Sequence, residues 1–152
     1  MTFKRLNKTP FSHLIAGAVL SAVVAIPSAL AADNPAVDRQ KVMSHVGAAT
    51  GAGAAMARGQ VPFDAVQAQL IMRTMNGVAL GYGYLFPEGS ETGAKTEASP
   101  AIWSDRAGFN AAVKKFIDDT SVLPTDLDGF RAAFQQVTAN CGTCHRAYRV
   151  KN

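Results

Sequence analysis

Apolar residues recur along this chain at intervals of three and four rather than two, so the pattern predicts helices and no sheet. Four such stretches follow one another from about residue 35 onward. The first runs from Pro35 to about Arg58, with Ala36, Arg39, Met43, Val46, Thr50 and Ala57 near one stripe, and stops at Gly59. Pro62 and Phe63 open a second that reaches about Leu80, with Phe63, Val66, Leu70 and Gly77 or Val78 on one face, and glycine in Gly81-Tyr82-Gly83-Tyr84 releases it. Between Pro87 and Ser99 almost nothing is apolar, which predicts a solvated loop and the longest connection. Ser99 and Pro100 read as the N-cap and first turn of a third helix, Ala101 to about Thr120, with Ile102, Phe109, Val113 and Phe116 inward. Pro124 lies in the next connection and Asp126 or Thr125 caps the fourth helix. There Leu127, Phe130, Phe134, Val137, Cys141, Cys144 and Tyr148 form a seam of alternating three- and four-residue steps. The predicted fold is all-α, an up-and-down antiparallel four-helix bundle, an architecture suited to holding a cofactor between facing helices.

The first thirty or so residues differ in kind. Lys4, Arg5 and Lys8 precede an apolar run from Leu14 to Ile26, and Ala29 and Ala31 supply small side chains of the sort a signal peptidase accepts. Residues 1–31 are therefore expected to be a cleaved secretory signal and residues 32–152 the mature domain. This changes the charge picture. The full chain carries +4, but three of its 15 basic residues and none of its 11 acidic ones belong to the signal, leaving 12 against 11. A mature chain near +1 gives no reason to expect a nucleic-acid partner or a membrane surface. About 121 residues make one domain with one core. Within the first helix Gly47, Gly51 and Gly53 each lower helix propensity by about 1 kcal/mol relative to Ala. Two compensations stand open: a trough that a flat macrocycle fills, or close packing of a neighbouring helix.

Only two cysteines are present, and export would ordinarily make them a disulfide. Their setting argues otherwise. Cys141, Gly142, Thr143, Cys144 and His145 form C-x-x-C-H, the attachment pattern of a c-type haem. Residues i and i+3 share one helical face, so two thiols there meet two neighbouring vinyl groups at a porphyrin edge, and the adjacent imidazole serves as an axial ligand of the iron. A thioredoxin-like pair would open a helix after a strand, and zinc would need four ligands where His45 is the only spare histidine outside the signal.

For the other side of the iron the sequence offers Met43, because a thioether is a known partner of histidine in such sites. Its alternative is ordinary gap-filling in the core. His45, two residues on, projects from nearly the opposite side of the helix and is expected at the surface, and Met56, Met72 and Met75 rank lower as donors. Arg39 lies one turn before Met43 and Arg149 one turn past His145, both positioned to meet haem propionates. For Arg149, complementing a helix C-terminus is an equal reading.

With these residues in place, the chain resembles the class II c-type cytochromes, cytochrome c prime and its low-spin relatives. The likeness covers the mature chain and rests on the C-terminal haem motif, on Arg39-x-x-x-Met43, on Ser99-Pro100-Ala101-Ile102-Trp103 and on Arg149. It implies a periplasmic protein with one covalent haem c, the proximal histidine in the motif (His145) and the distal residue on the first helix (Met43). Low-spin relatives with methionine on the iron act as one-electron carriers toward redox partner proteins. Cytochrome c prime keeps that position open and takes nitric oxide or carbon monoxide. Homodimers are common in the family. No nucleophile–base or carboxylate pair points to an enzyme.

Overall fold

A computed structural model describes residues 34–93 and 95–151, all within one compact unit, Ala31–Asn152. The expected signal peptide, residues 1–31, lies outside the described residues. Helix α1 spans Pro35–Ala57, α2 Ala65–Tyr82 with a 3-10 turn Gly83–Leu85 continuing it, α3 Ala101–Ser104, α4 Arg106–Thr120 and α5 Leu127–Tyr148. The four long helices pack in a ring, α1 on α2, α2 on α4, α4 on α5 and α5 back on α1, and form the bundle that the periodicity predicts. Among the described residues the nearest thing to a sheet is one isolated antiparallel bridge between Ala98 and Arg149. No described helix is long and apolar enough to cross a membrane.

Short polar residues set the helix starts. Asn34 accepts from the Ala36 N–H at 3.1 Å, Asp64 from Gln67 at 2.8 Å and Asp126 from Gly129 at 2.8 Å, each satisfying an orphan donor of a first turn. Gly59, at φ 70°, carries the chain out of α1 in a conformation that glycine adopts without strain. Gly83 does no such thing: at φ −59° and ψ −30° it stays right-handed, and the helical path runs on through the 3-10 turn.

The expected third helix is broken. Asp105 leaves helical geometry at φ −120°, ψ 56°, and its carboxylate accepts from the Gly108 N–H at 3.1 Å, capping α4 while its own N–H closes α3 on Ala101. Aspartate competes with the helix backbone for hydrogen bonds, and here the local bond wins.

The second correction concerns α2. Val66 and Leu70, predicted inward, are exposed, and the buried face is Ala68, Ile71, Met72, Met75 and Ala79. Apolar residues run along both sides of this helix, so periodicity alone fits either orientation. The alanine- and methionine-bearing side allows closer approach and adaptable filling. It joins Val46, Ala49, Met56, Phe130, Ala133, Phe134 and Val137 in the larger of two core clusters. A smaller cluster of Phe86, Ile102 and Phe109 lies under Tyr82, Trp103 and Tyr148.

Polar ties fix the register. Asn76 on α2 donates to the Ile117 carbonyl and to Thr120 Oγ1, both at 3.0 Å, and Asn140 on α5 donates to Asp119 at 2.7 Å. Close packing of a neighbouring helix is seen at one of the three glycines. A Cβ at Gly53 would collide with the Phe134 ring, so α1 and α5 meet closely there, whereas Gly47 and Gly51 face open space.

Candidate functional site

Between α1, α4, α5 and the end of α2 the bundle holds a cavity of about 580 Å³ that opens to the surface. That is the size of an ordinary small-molecule or cofactor site. From α5 it is lined by Cys141, Cys144, His145 and Tyr148; from α1 by Arg39, Met43 and Gly47; from α4 by Phe109, Val113 and Phe116. The predicted site residues Cys141, Cys144, His145, Met43, Arg39 and Arg149 thus all border one space, and Gly47 borders the same trough. His45 is exposed and outside it, while Met56, Met72 and Met75 are fully buried in the larger core cluster.

Cys141 and Cys144 are free, half-buried thiols on successive turns of α5. Cys141 Sγ donates to the Val137 carbonyl at 3.8 Å. Burial pushes both thiols up, so they stand protonated and uncharged at neutral pH. Burial, reinforced by Arg149 and opposed by Glu97, lowers the basicity of His145. A neutral imidazole keeps a lone pair for a metal.

Arg39 is 5% exposed. Its Nε donates to the Pro35 carbonyl at 3.0 Å and one terminal nitrogen to the Ser90 carbonyl at 2.8 Å, while its carbon lies 4.7 Å from the Phe86 ring centre. The remaining nitrogen, Nη1, is buried without a partner. Leaving such a donor unpaired is costly, and in a largely apolar cavity it calls for an anionic acceptor. Tyr82, chiefly through burial, is pushed up to about 12 and stays a neutral phenol on the same wall.

The segment expected to be a solvated loop is a wall of this site. Ser90 is buried under Arg39, Gln40 donates to the Lys95 carbonyl at 2.7 Å, and Thr96, Glu97 and Ala98 line the cavity. Arg149 also departs from its expected place. It lies just past the end of α5 in extended conformation, bridges to Ala98 and pairs with Glu97. The Glu97, Tyr82 and Phe86 contributions carry no spacing signal, because they come from a polar segment and a helix end that meet only in the fold.

An apolar slot, two thiols one turn apart beside an imidazole, and a buried guanidinium seeking an anion together fit a haem. The thiols match its vinyl edge and Arg39 matches its carboxylates. These features define the class, a helical-bundle haem protein. The chain belongs to the cytochrome c' family, whose profile, described as "Cytochrome C'", matches residues 34–149. It is 38% identical over 117 residues to cytochrome c-556 of Agrobacterium fabrum, covering 74% of this chain and 79% of that one. It is 34% identical over 118 residues to cytochrome c' of Alcaligenes xylosoxydans xylosoxydans, covering 74% and 91%. Among solved structures, cytochrome c' from Rhodopseudomonas palustris is similar with a TM-score of 0.74 at 29% identity, over 78% of this chain and 98% of that one. A nitric oxide complex of a cytochrome c prime mutant from Alcaligenes xylosoxidans is similar with a TM-score of 0.69 at 33% identity, over 77% and 94%. The cofactor is haem c, and the protein is a haem cytochrome.

Proposed function

We propose that this cytochrome is an exported, periplasmic one-electron carrier whose haem is joined to Cys141 and Cys144 and whose iron is held between His145 and Met43. The observation that carries the reading is the common cavity, where the motif residues of α5 and the thioether of α1 border one apolar space. When bound, the haem supplies a one-electron redox centre. The chain's own residues do the rest: Arg39 offers its unpaired Nη1 to a propionate, Tyr82 stays neutral beside it, and the apolar lining keeps water from the iron. Held by His145 and Met43, the iron would keep no position free for substrate, and the Met43 sulfur would favour its reduced state and so raise the potential. Residues 1–31 would direct export and be removed afterwards, and haem attachment would follow in that compartment. A redox partner protein would then accept or deliver the electron.

The second reading is a gas-binding protein with five-coordinate iron. It is favoured by the apolar residues Val113 and Phe116 that line the cavity with Met43, and by the nitric oxide complex known for a mutant of the Alcaligenes relative. Visible spectra of ferric and ferrous protein with and without carbon monoxide, beside Met43→Ala, separate the two. The expected result is a low-spin wild type unresponsive to the gas and a high-spin variant that binds it. A high-spin wild type that takes carbon monoxide directly would make Met43 a pocket wall and the protein a gas binder.

A further inference from the structure

Tyr148 follows His145 by three residues, borders the cavity, and donates its hydroxyl to the Asp105 carboxylate at 2.8 Å. The two oxygens of Asp105 have separate partners. Oδ1 accepts from the Gly108 N–H at 3.1 Å and caps α4, while Oδ2 is left to the phenol. Gly108 makes the pairing possible: a Cβ there would collide with both Asp105 Oδ2 and the Tyr148 oxygen, so phenol and carboxylate meet in a recess that a side chain would fill.

The cavity wall has a second phenol, Tyr82, and the aromatic cluster beneath it contains the indole of Trp103. Neither has a base. Tyr82 lies beside the cationic Arg39, and Trp103 Nε1 donates at 3.1 Å to the Pro87 carbonyl, which takes up no proton. A phenol that loses an electron becomes a far stronger acid than a carboxylic acid. It therefore gives up an electron easily only where a base within hydrogen-bond reach accepts the proton. Tyr148 meets that condition, and at rest the same bond pushes its pKa up and keeps the phenol protonated.

We propose that Tyr148 is a one-electron donor to the haem site, with Asp105 as its proton acceptor, in the reduction of hydrogen peroxide that reaches the Met43 side of the iron. Hydrogen peroxide takes up two electrons and two protons to become two waters. One electron comes from the reduced haem and the other from Tyr148, whose O–H proton passes to Asp105 Oδ2; the two protons consumed come from solvent. The products are two waters, a ferric haem, a neutral tyrosyl radical and a protonated Asp105. An electron from the carrier's redox partner, with the proton returned by Asp105, restores the phenol. The inference rests on the proposed haem site but not on the state of Met43, because a methionine on the iron slows the peroxide reaction without changing which residue is oxidised.

Reduced, haem-loaded wild type and Met43→Ala mixed with hydrogen peroxide, freeze-quenched and read by electron paramagnetic resonance test this. Expected are a tyrosyl signal that narrows with ring-deuterated tyrosine and a nitrone spin-trap adduct on the peptide carrying Tyr148. Tyr148→Phe should lose both. Asp105→Asn keeps a capping oxygen for α4 and a hydrogen-bonding partner for the phenol but not the base, so radical yield should fall at least about tenfold while the haem spectrum stays unchanged. Peroxide consumption is expected to be faster in Met43→Ala than in wild type. Equal rates with the adduct still on Tyr148 would refute Met43 ligation and uphold the proposal. An undiminished signal in Tyr148→Phe, full yield in Asp105→Asn, or a Met43→Ala protein that leaves peroxide untouched or consumes it without a tyrosyl signal would overturn it.

Discussion

At the scale of single residues, two glycines of α1 that look alike in the sequence do opposite things. Gly53 lies against Phe134 with no room for a methyl, so Gly53→Ala should cost about 1–3 kcal/mol through overpacking. Gly51 is exposed with open space around it, so Gly51→Ala should add about 0.5–1 kcal/mol from helix propensity alone. Guanidinium denaturation of the two variants beside wild type checks the pair, and equal effects would refute the distinction. Legibility at this scale followed chemistry. That Cys141, Cys144 and His145 border one cavity was readable from their C-x-x-C-H spacing on one helix, and that Met43 and Arg39 border it too from their one-turn separation on α1. Glu97 and Tyr82 were not readable, since nothing local marks a residue whose role depends on where a distant segment settles.

At the scale of elements, the helices were legible from period and caps, and their faces less so. On α5 one side is apolar and its orientation follows. On α2 both sides are, and choosing the core side needs the shape of α1 and α4, which no single-helix pattern contains. Asp105 shows a similar gap, because its carboxylate caps α4 and also accepts from the Tyr148 hydroxyl at 2.8 Å, tying α4 to the end of α5. Asp105→Ala should lose the cap and about 1–2 kcal/mol of stability, whereas Asp105→Asn, which keeps a capping oxygen, should lose much less; thermal unfolding would tell them apart. Asp119 makes a pH-dependent tie. Burial alone would hinder its ionisation, but hydrogen bonds from Lys115 and Asn140 outweigh that and hold its carboxyl below the usual range. A carboxylate whose pKa falls on folding stabilises above its unfolded pKa, near 4, and loses that contribution as pH drops through the folded value. Unfolding midpoints between pH 6 and pH 2.5 should therefore fall more steeply in wild type than in Asp119→Asn, and parallel curves would rule the tie out.

At the scale of the whole molecule, the site is closed from three directions by pieces far apart in the chain: α1 with Arg39 and Met43, α5 with the haem motif, and the 87–99 segment fastened by Glu97 to Arg149. Glu97→Gln should loosen that fastening without touching His145 or Met43, the proposed ligands. In a Met43→Ala background it is expected to speed carbon monoxide association by about two- to tenfold, and unchanged flash-photolysis kinetics would show that the segment does not control entry.

The cavity itself has a consequence for how the cell obtains this protein. The site opens to one side, yet Ile102, Phe109, Val113 and Phe116 present to it apolar surface that a bound cofactor takes out of water. The haem is thus part of the core as much as it is the redox centre, and a chain that fails to receive it has little reason to stay folded. Polypeptide without its prosthetic group would be short-lived prey for proteases of its compartment, so that iron and porphyrin supply, more than synthesis of the chain, would set how much of this cytochrome accumulates.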